Sequence, residues 1–155
     1  MSGSQRLGEW QLPAMVTTEI EVRWGECDAA GIVYHPVYID WFSVARMRFM
    51  KENGVSYMES FHDSGIVLVV LEAQGQYRKT LRAEDKAFVE AKLVERSRTR
   101  LKMEYEVYNE QRELCTVGHT EHAFVDMASN KAVNLAKRAP ELWNLVLQMP
   151  LTEKK

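Results

Sequence analysis

The chain has 155 residues, 46% hydrophobic and 27% charged, enough for one domain with a real core. Its net charge of −2 lacks the basic excess that nucleic-acid binding needs, and no apolar run reaches the ~20 residues of a membrane span. Residues 1–12 hold no basic segment followed by an apolar block, so no signal peptide is expected, and Cys27 and Cys115 read as reduced thiols of a cytoplasmic protein.

Residues 1–16 mix Gly, Ser, Gln and Pro and read as a loose arm. From Thr18 the pattern alternates, with Ile20, Val22 and Trp24 on one side and Glu19, Glu21 and Arg23 on the other. That is a half-buried strand. A glycine-bearing loop follows. Pro36 then opens a helix that runs to about residue 53, where Gly54 supplies a stop. Tyr38, Trp41, Phe42, Ala45 and Phe49 form one face, and Val37, Ile39, Val44, Met47 and Met50 add apolar surface around the rest. A helix this apolar on most sides is expected to be buried.

After Asp63-Ser64-Gly65, the run Ile66-Val67-Leu68-Val69-Val70-Leu71 begins a strand that continues to about residue 80. A charged turn at 81–86 leads to Ala87, Val89, Ala91 and Leu93, alternating with Glu90 and Lys92. Past a basic bend at 96–98, Leu101, Met103, Tyr105 and Val107 alternate with charged residues. A polar turn at 110–113 precedes a strand over 114–126, whose alternation breaks near His119 and so predicts a bulge or a buried stretch. Pro140 starts a short last helix with Leu142, Trp143, Val146 and Leu147, and 149–155 is a tail. One domain is therefore expected over 17–148.

A strand, one long apolar helix and four strands joined by short turns make an α+β protein. Its antiparallel sheet must wrap around the central helix, which is the layout of a hotdog fold. One subunit leaves sheet edge and helix flank uncovered, so a dimer or tetramer is expected.

The chemistry concentrates at 24–38. Asp28 and His35 stand seven residues apart, on either side of the turn into the helix. Proline at the first helical turn leaves the neighbouring backbone N–H groups pointing out of a helix start, which suits a developing negative charge. Asp28 lies eight residues before Pro36, too far to be a simple cap of that helix. A carboxylate beside such a site is the minimal equipment for attack on an acyl group.

The run Asp28-Ala29-Ala30-Gly31-Ile32-Val33-Tyr34-His35-Pro36-Val37-Tyr38 resembles the D-x-x-G-x-V-[YFW]-[HY]-x-x-Y signature of the 4-hydroxybenzoyl-CoA thioesterase-like hotdog family. The likeness continues through Trp41-Phe42, Ala45-Arg46, Gly65-Ile66-Val67, Tyr77 ahead of Asp85, and Phe124-Val125-Asp126. His35 draws it toward the acyl-CoA thioesterases associated with the bacterial Tol–Pal system, since the aromatic-CoA members tend to carry Tyr there. The resemblance implies hydrolysis of acyl-CoA thioesters with no metal or organic cofactor, coenzyme A thioester being the substrate. It implies Asp28 as the catalytic acid, the His35 backbone N–H as the receiver of the thioester oxygen, and a site built between two subunits.

Further residues have two readings each. The His35 side chain either orients the thioester or assists proton transfer, or else caps the helix entrance. Tyr34 and Tyr38 are candidate substrate contacts, and Tyr38, Trp41, Tyr57, Met58 and Phe61 either line an acyl pocket or fill the core. Arg96, Arg98 and Arg100 either bind the phosphates of coenzyme A or form a solvated turn, and Arg78, Lys79 and Arg82 are weaker versions of the same idea. Cys27 next to Asp28 reads as a small loop residue rather than a nucleophile. His119-Thr120-Glu121-His122 lacks the spacing of a zinc motif, and on a strand its two histidines face opposite sides, so no metal is expected. No G-x-S-x-G elbow and no nucleotide-binding glycine motif is present. The expected function is hydrolysis of an aromatic or short-chain acyl-CoA. The alternatives are a hotdog enoyl-CoA hydratase or dehydratase, and a non-catalytic acyl-CoA-binding protein.

Overall fold

The computed structural model describes residues 11–153. The expected arm therefore lies, over residues 1–10, outside the described residues. Strand β1 is Met15–Glu21, starting three residues before the alternation suggested. Val16, Thr18 and Val22 are buried, but Trp24 leaves their side and is 75% exposed. The cause is a 3-10 turn over Trp24–Glu26, which ends the two-residue period.

Helix α1 is Pro36–Glu52, with Pro36 in its first turn. Asn53 ends it by donating its side-chain amide to the Phe49 and Pro13 carbonyls, and Gly54 follows in the left-handed region at φ +82. Tyr38, Trp41, Phe42, Ala45, Arg46, Phe49 and Met50 are buried, the i, i+3, i+4 spacing of a single face. The expected burial on most sides is not met within one chain, since Val44 and Met47 stay 46% and 40% exposed. No helix among the described residues is long and apolar enough to cross a membrane.

Four strands follow: β2 Ile66–Tyr77, β3 Lys86–Arg96, β4 Arg100–Tyr108 and β5 Leu114–Asp126. They join β1 in one antiparallel sheet of order β1-β3-β4-β5-β2. Ala87, Val89, Ala91 and Leu93 of β3 and Leu101, Met103, Tyr105 and Val107 of β4 turn inward, as their alternation predicts. The sheet packs this face on α1, so the fold is the expected hotdog arrangement.

β5 breaks its alternation as expected, with a buried stretch over 122–125 just past His119 and pairing irregularities on either side. Its pairing with β4 shifts between Val107 and Tyr108, which leaves Cys115 as the extra residue. Its pairing with β2 shifts between Val70 and Glu72, placing that irregularity at Leu71 of the edge strand. Between them, Gly118 admits the Phe42 ring. A Cβ there would stand 2.5 Å from Phe42 and 2.4 Å from the Gln74 carbonyl.

Two short helices close the sheet's far end: α2 Leu135–Arg138, which the sequence reading lacked, and α3 Pro140–Gln148. The segment read as a tail joins the sheet: Met149 is buried and the Thr152 N–H donates to the Leu93 carbonyl.

Candidate active site

The run between β1 and α1 is a small hairpin. Cys27 pairs with Val33, the Asp28 N–H donates to the Ile32 carbonyl at 2.9 Å, and the Tyr34 N–H donates to the Glu26 carbonyl at 2.9 Å. Asp28 sits at its turn. Oδ1 accepts the Ala30 N–H at 2.8 Å, an Asx turn, and the Asp28 carbonyl accepts the Gly31 N–H at 2.9 Å. Gly31 takes φ +82, which fits its lack of Cβ. Oδ2 has no partner among the described residues, and the side chain faces solvent. The carboxylate is thus held at one oxygen and free at the other.

The return arm of the hairpin delivers His35 to the start of α1. The Val37 N–H turns back to the Tyr34 carbonyl and the Tyr38 N–H to that of His35. The His35 N–H donates to no acceptor among the described residues. It is therefore a preset donor at the positive end of a 17-residue helix. The His35 ring makes no hydrogen bond among the described residues and lies edge-on to Tyr34 at 4.9 Å and to Tyr77 at 6.2 Å.

A cavity of about 200 Å³ opens beside this helix start, with Val33, His35, Tyr38, Tyr77 and Arg78 in its wall. Tyr38 is buried, with Trp41 edge-on at 5.0 Å and Tyr77 tilted at 5.2 Å. Burial, with a contribution from Cys115, pushes its hydroxyl up to about 12, so it stays protonated at neutral pH. Tyr34 is half exposed and is not among the residues that line this cavity.

Glu26, which sequence reasoning missed, holds the hairpin in place. It is 8% exposed, and its carboxylate accepts the Arg23 N–H at 2.8 Å, the Arg23 guanidinium at 3.2 Å and the Trp41 indole N–H at 3.0 Å. Burial raises its pKa, but these three donors outweigh burial and hold it below the usual range. The available signal was Trp41, since a buried indole N–H needs an acceptor.

The basic residues separate into two places. Arg78 and Lys79 stand at the cavity beside His35, with Lys79 paired to Glu113 at 3.1 Å. Arg96 and Arg100 line a different cavity of about 170 Å³ that shares no residue with the first. The turn between β3 and β4 breaks the straight alignment of the three arginines. Arg96 donates to the Val146 carbonyl at 3.2 Å and the Met149 carbonyl at 2.7 Å, so it holds the end of α3. Arg98 and Arg100 are exposed. Arg82 lies in the turn before β3, where its N–H donates to Asp85.

The remaining candidates are dispersed. Cys27 donates its thiol toward the Arg23 carbonyl at 3.8 Å and makes no hydrogen bond to His35 among the described residues. Cys115 is buried, which pushes its thiol up. His119 and His122 do face opposite sides. His119 meets Glu72 at 2.7 Å on the outer face, with Glu121 alongside, and His122 is fully buried against Thr120. Trp41 and Phe61 belong to the core, whereas Met58 is 55% exposed.

Residues 22–142 match the model of the thioesterase-like superfamily. YneP of Bacillus subtilis (strain 168), provisionally named an acyl-CoA thioesterase, is 31% identical over 123 residues, 79% of this chain and 88% of that protein. The DHNA-CoA thioesterase of Staphylococcus aureus superposes with a TM-score of 0.81 at 30% identity, over 91% of this chain and 99% of its own. The gentisyl-coenzyme A thioesterase BH1999 superposes with a TM-score of 0.68 at 25% identity, over 72% of this chain and 89% of its own. With its sheet, its central helix and most of its length matched, the chain belongs to the thioesterase-like superfamily.

Proposed function

We propose that this chain hydrolyses an acyl-CoA thioester, with Asp28 as the reacting carboxylate and the His35 N–H as the oxyanion donor. One observation carries the reading. A single short hairpin presents a half-free carboxylate, and its return arm presents an unpaired N–H at a helix start. In one route Asp28 adds to the thioester carbonyl, coenzyme A leaves as thiolate, and water hydrolyses the resulting anhydride. In the other Asp28 takes a proton from water as that water attacks. In both, negative charge develops on the carbonyl oxygen, where one preset N–H donor contributes about 3 kcal/mol.

The aromatic wall of Tyr38 and Tyr77 and the size of the cavity suit an aromatic or short-chain acyl group, and the half-exposed Tyr34 is a further candidate contact. The relatives named for DHNA-CoA and gentisyl-CoA favour the aromatic choice. His35, in the place that drew the comparison with the Tol–Pal-associated enzymes, keeps short aliphatic acyl groups in the same proposal. Asp28 and His35 face solvent within one chain, and the β2 edge and the Val44–Met47 flank of α1 are uncovered. A homodimer, or a tetramer built from it, closes these surfaces and completes the site. Arg98 and Arg100 are the arginines free to meet the phosphates of coenzyme A. No metal or organic cofactor is required by this chemistry.

A panel of acyl-CoA substrates, read by a thiol-reactive dye, tests the reading. Thiol release from an aromatic or short acyl-CoA supports it. Hydration of an enoyl-CoA without thiol release assigns a hydratase instead, and binding without turnover assigns an acyl-CoA-binding protein.

A further inference from the structure

Beneath α1 lies a buried chain of polar side chains that the reaction above does not use. Arg46 is 8% exposed, Tyr105 and Thr120 are 1% exposed and His122 is fully buried. The Arg46 guanidinium donates to the Tyr105 hydroxyl at 3.1 Å and to Ser43 Oγ at 3.2 Å. The Tyr105 and Thr120 hydroxyls are 2.6 Å apart, and Thr120 Oγ1 is 2.7 Å from His122 Nε2. No carboxylate pairs with Arg46 among the described residues. Burying an unpaired guanidinium is costly, and an apolar side chain at this position would pack without that cost. The charge therefore points to a requirement for position rather than for stability.

The geometry supports that requirement. Phe42 and Arg46, one helical turn apart, both close on Tyr105. The Phe42 ring stacks on the phenol at 4.5 Å and 5°, seated over Gly118, while Arg46 binds the hydroxyl. The seat of Phe42 over Gly118 sets the position of the helix by shape, and the directional bond from Arg46 to Tyr105 sets it a second time, one turn further on. Because α1 is one unbroken helix, its placement at Arg46 fixes its start at His35. Arg46 only donates, and the order in which Tyr105 donates to Thr120 and Thr120 to His122 Nε2 places the histidine proton on Nδ1, a buried atom without a hydrogen-bond partner among the described residues.

We propose that Arg46, acting through the Tyr105 hydroxyl, is a positioning residue that fixes α1 along the sheet and with it the His35 amide that receives the thioester oxygen. This rests on the hydrolase reading of the same site. Tyr105→Phe keeps the ring stack and removes the bond, and Thr120→Val breaks the chain one link further on. Each is expected to keep the wild-type circular dichroism, to lower kcat about tenfold and to leave KM within about twofold, since a misplaced donor costs the transition state more than binding. Arg46→Met behaves alike, and Arg46→Lys, which still donates to Tyr105, recovers part of the loss. Unchanged kcat in both folded hydroxyl variants overturns the proposal. Should the wild type hydrolyse no acyl-CoA, the hydrolase reading fails by itself. The lock is then decided by hydrogen exchange over residues 36–45, expected to quicken in Tyr105→Phe and overturning the lock if it does not.

Discussion

The Trp41 indole N–H donates to Glu26 Oε2 at 3.0 Å, joining the hairpin that carries Asp28 to the helix that begins beside His35. Glu26→Ala leaves that buried indole N–H without its acceptor, and Trp41→Phe takes from the carboxylate one of its three donors. Each is expected to cost about 1–3 kcal/mol in urea unfolding. The double variant is expected to lose less than the two single losses added together, because both break one bond. Fully additive losses would show that the bond couples nothing.

His122 predicts a pH dependence of stability. Burial, aided by the Arg46 charge, lowers its pKa from the ordinary 6.5 to about 4. The folded form holds it neutral while the unfolded chain takes up a proton below 6.5. Its contribution is whole above pH 6.5, falls as pH drops toward 4 and is gone below that, a change of about 3 kcal/mol. Urea unfolding at pH 7.5, 5.5 and 4.0 is expected to show this decline in the wild type and a shallower one in His122→Gln. Parallel declines would assign the effect to other groups.

The sheet was legible wherever alternation ran unbroken, as in Ala87 to Leu93 and Leu101 to Val107. In β5 the bounds 114–126 were legible but the inward face was not, because Thr116, Thr120 and His122 carry it, a fact set by pairing with β4 and not by an apolar pattern. The loop motif pointed to Asp28 and to the helix start, and the structure shows how one hairpin presents both. The buried roles of Glu26, Arg46 and His122 stayed hidden because charged or titratable residues read as surface until their partners, fifteen to fifty-nine residues away for Glu26 and Arg46, are known. Arg96 looked like its neighbours Arg98 and Arg100, yet it is taken up by carbonyls at the end of α3.

That division separates the three arginines in experiment. Arg98→Ala and Arg100→Ala are expected to raise KM for acyl-CoA several-fold with little change in kcat, and to leave the matching acyl-pantetheine unaffected. Arg96→Ala is expected instead to lower stability by about 1–2 kcal/mol, as two carbonyls lose a charged donor. Equal KM in Arg98→Ala, Arg100→Ala and wild type would make the hairpin a solvated turn.

Val70 and Leu71, both about half exposed on the β2 edge, lead to a test of assembly. Light scattering at micromolar concentration is expected to give a dimer or larger. Val70→Lys, which places a charge on the open edge, is expected to weaken association. A monomeric wild type would contradict the two-subunit site.

The central claim is that Asp28 carries the reaction, and Asp28→Asn tests it most directly. The amide keeps the shape and the turn contact to Ala30 but can act neither as nucleophile nor as base. With the best acyl-CoA of the panel, turnover is expected to fall roughly a hundred- to ten-thousand-fold while circular dichroism stays that of the wild type, and Cys27→Ala is expected to retain activity. Wild-type turnover in a folded Asp28→Asn protein would contradict the account.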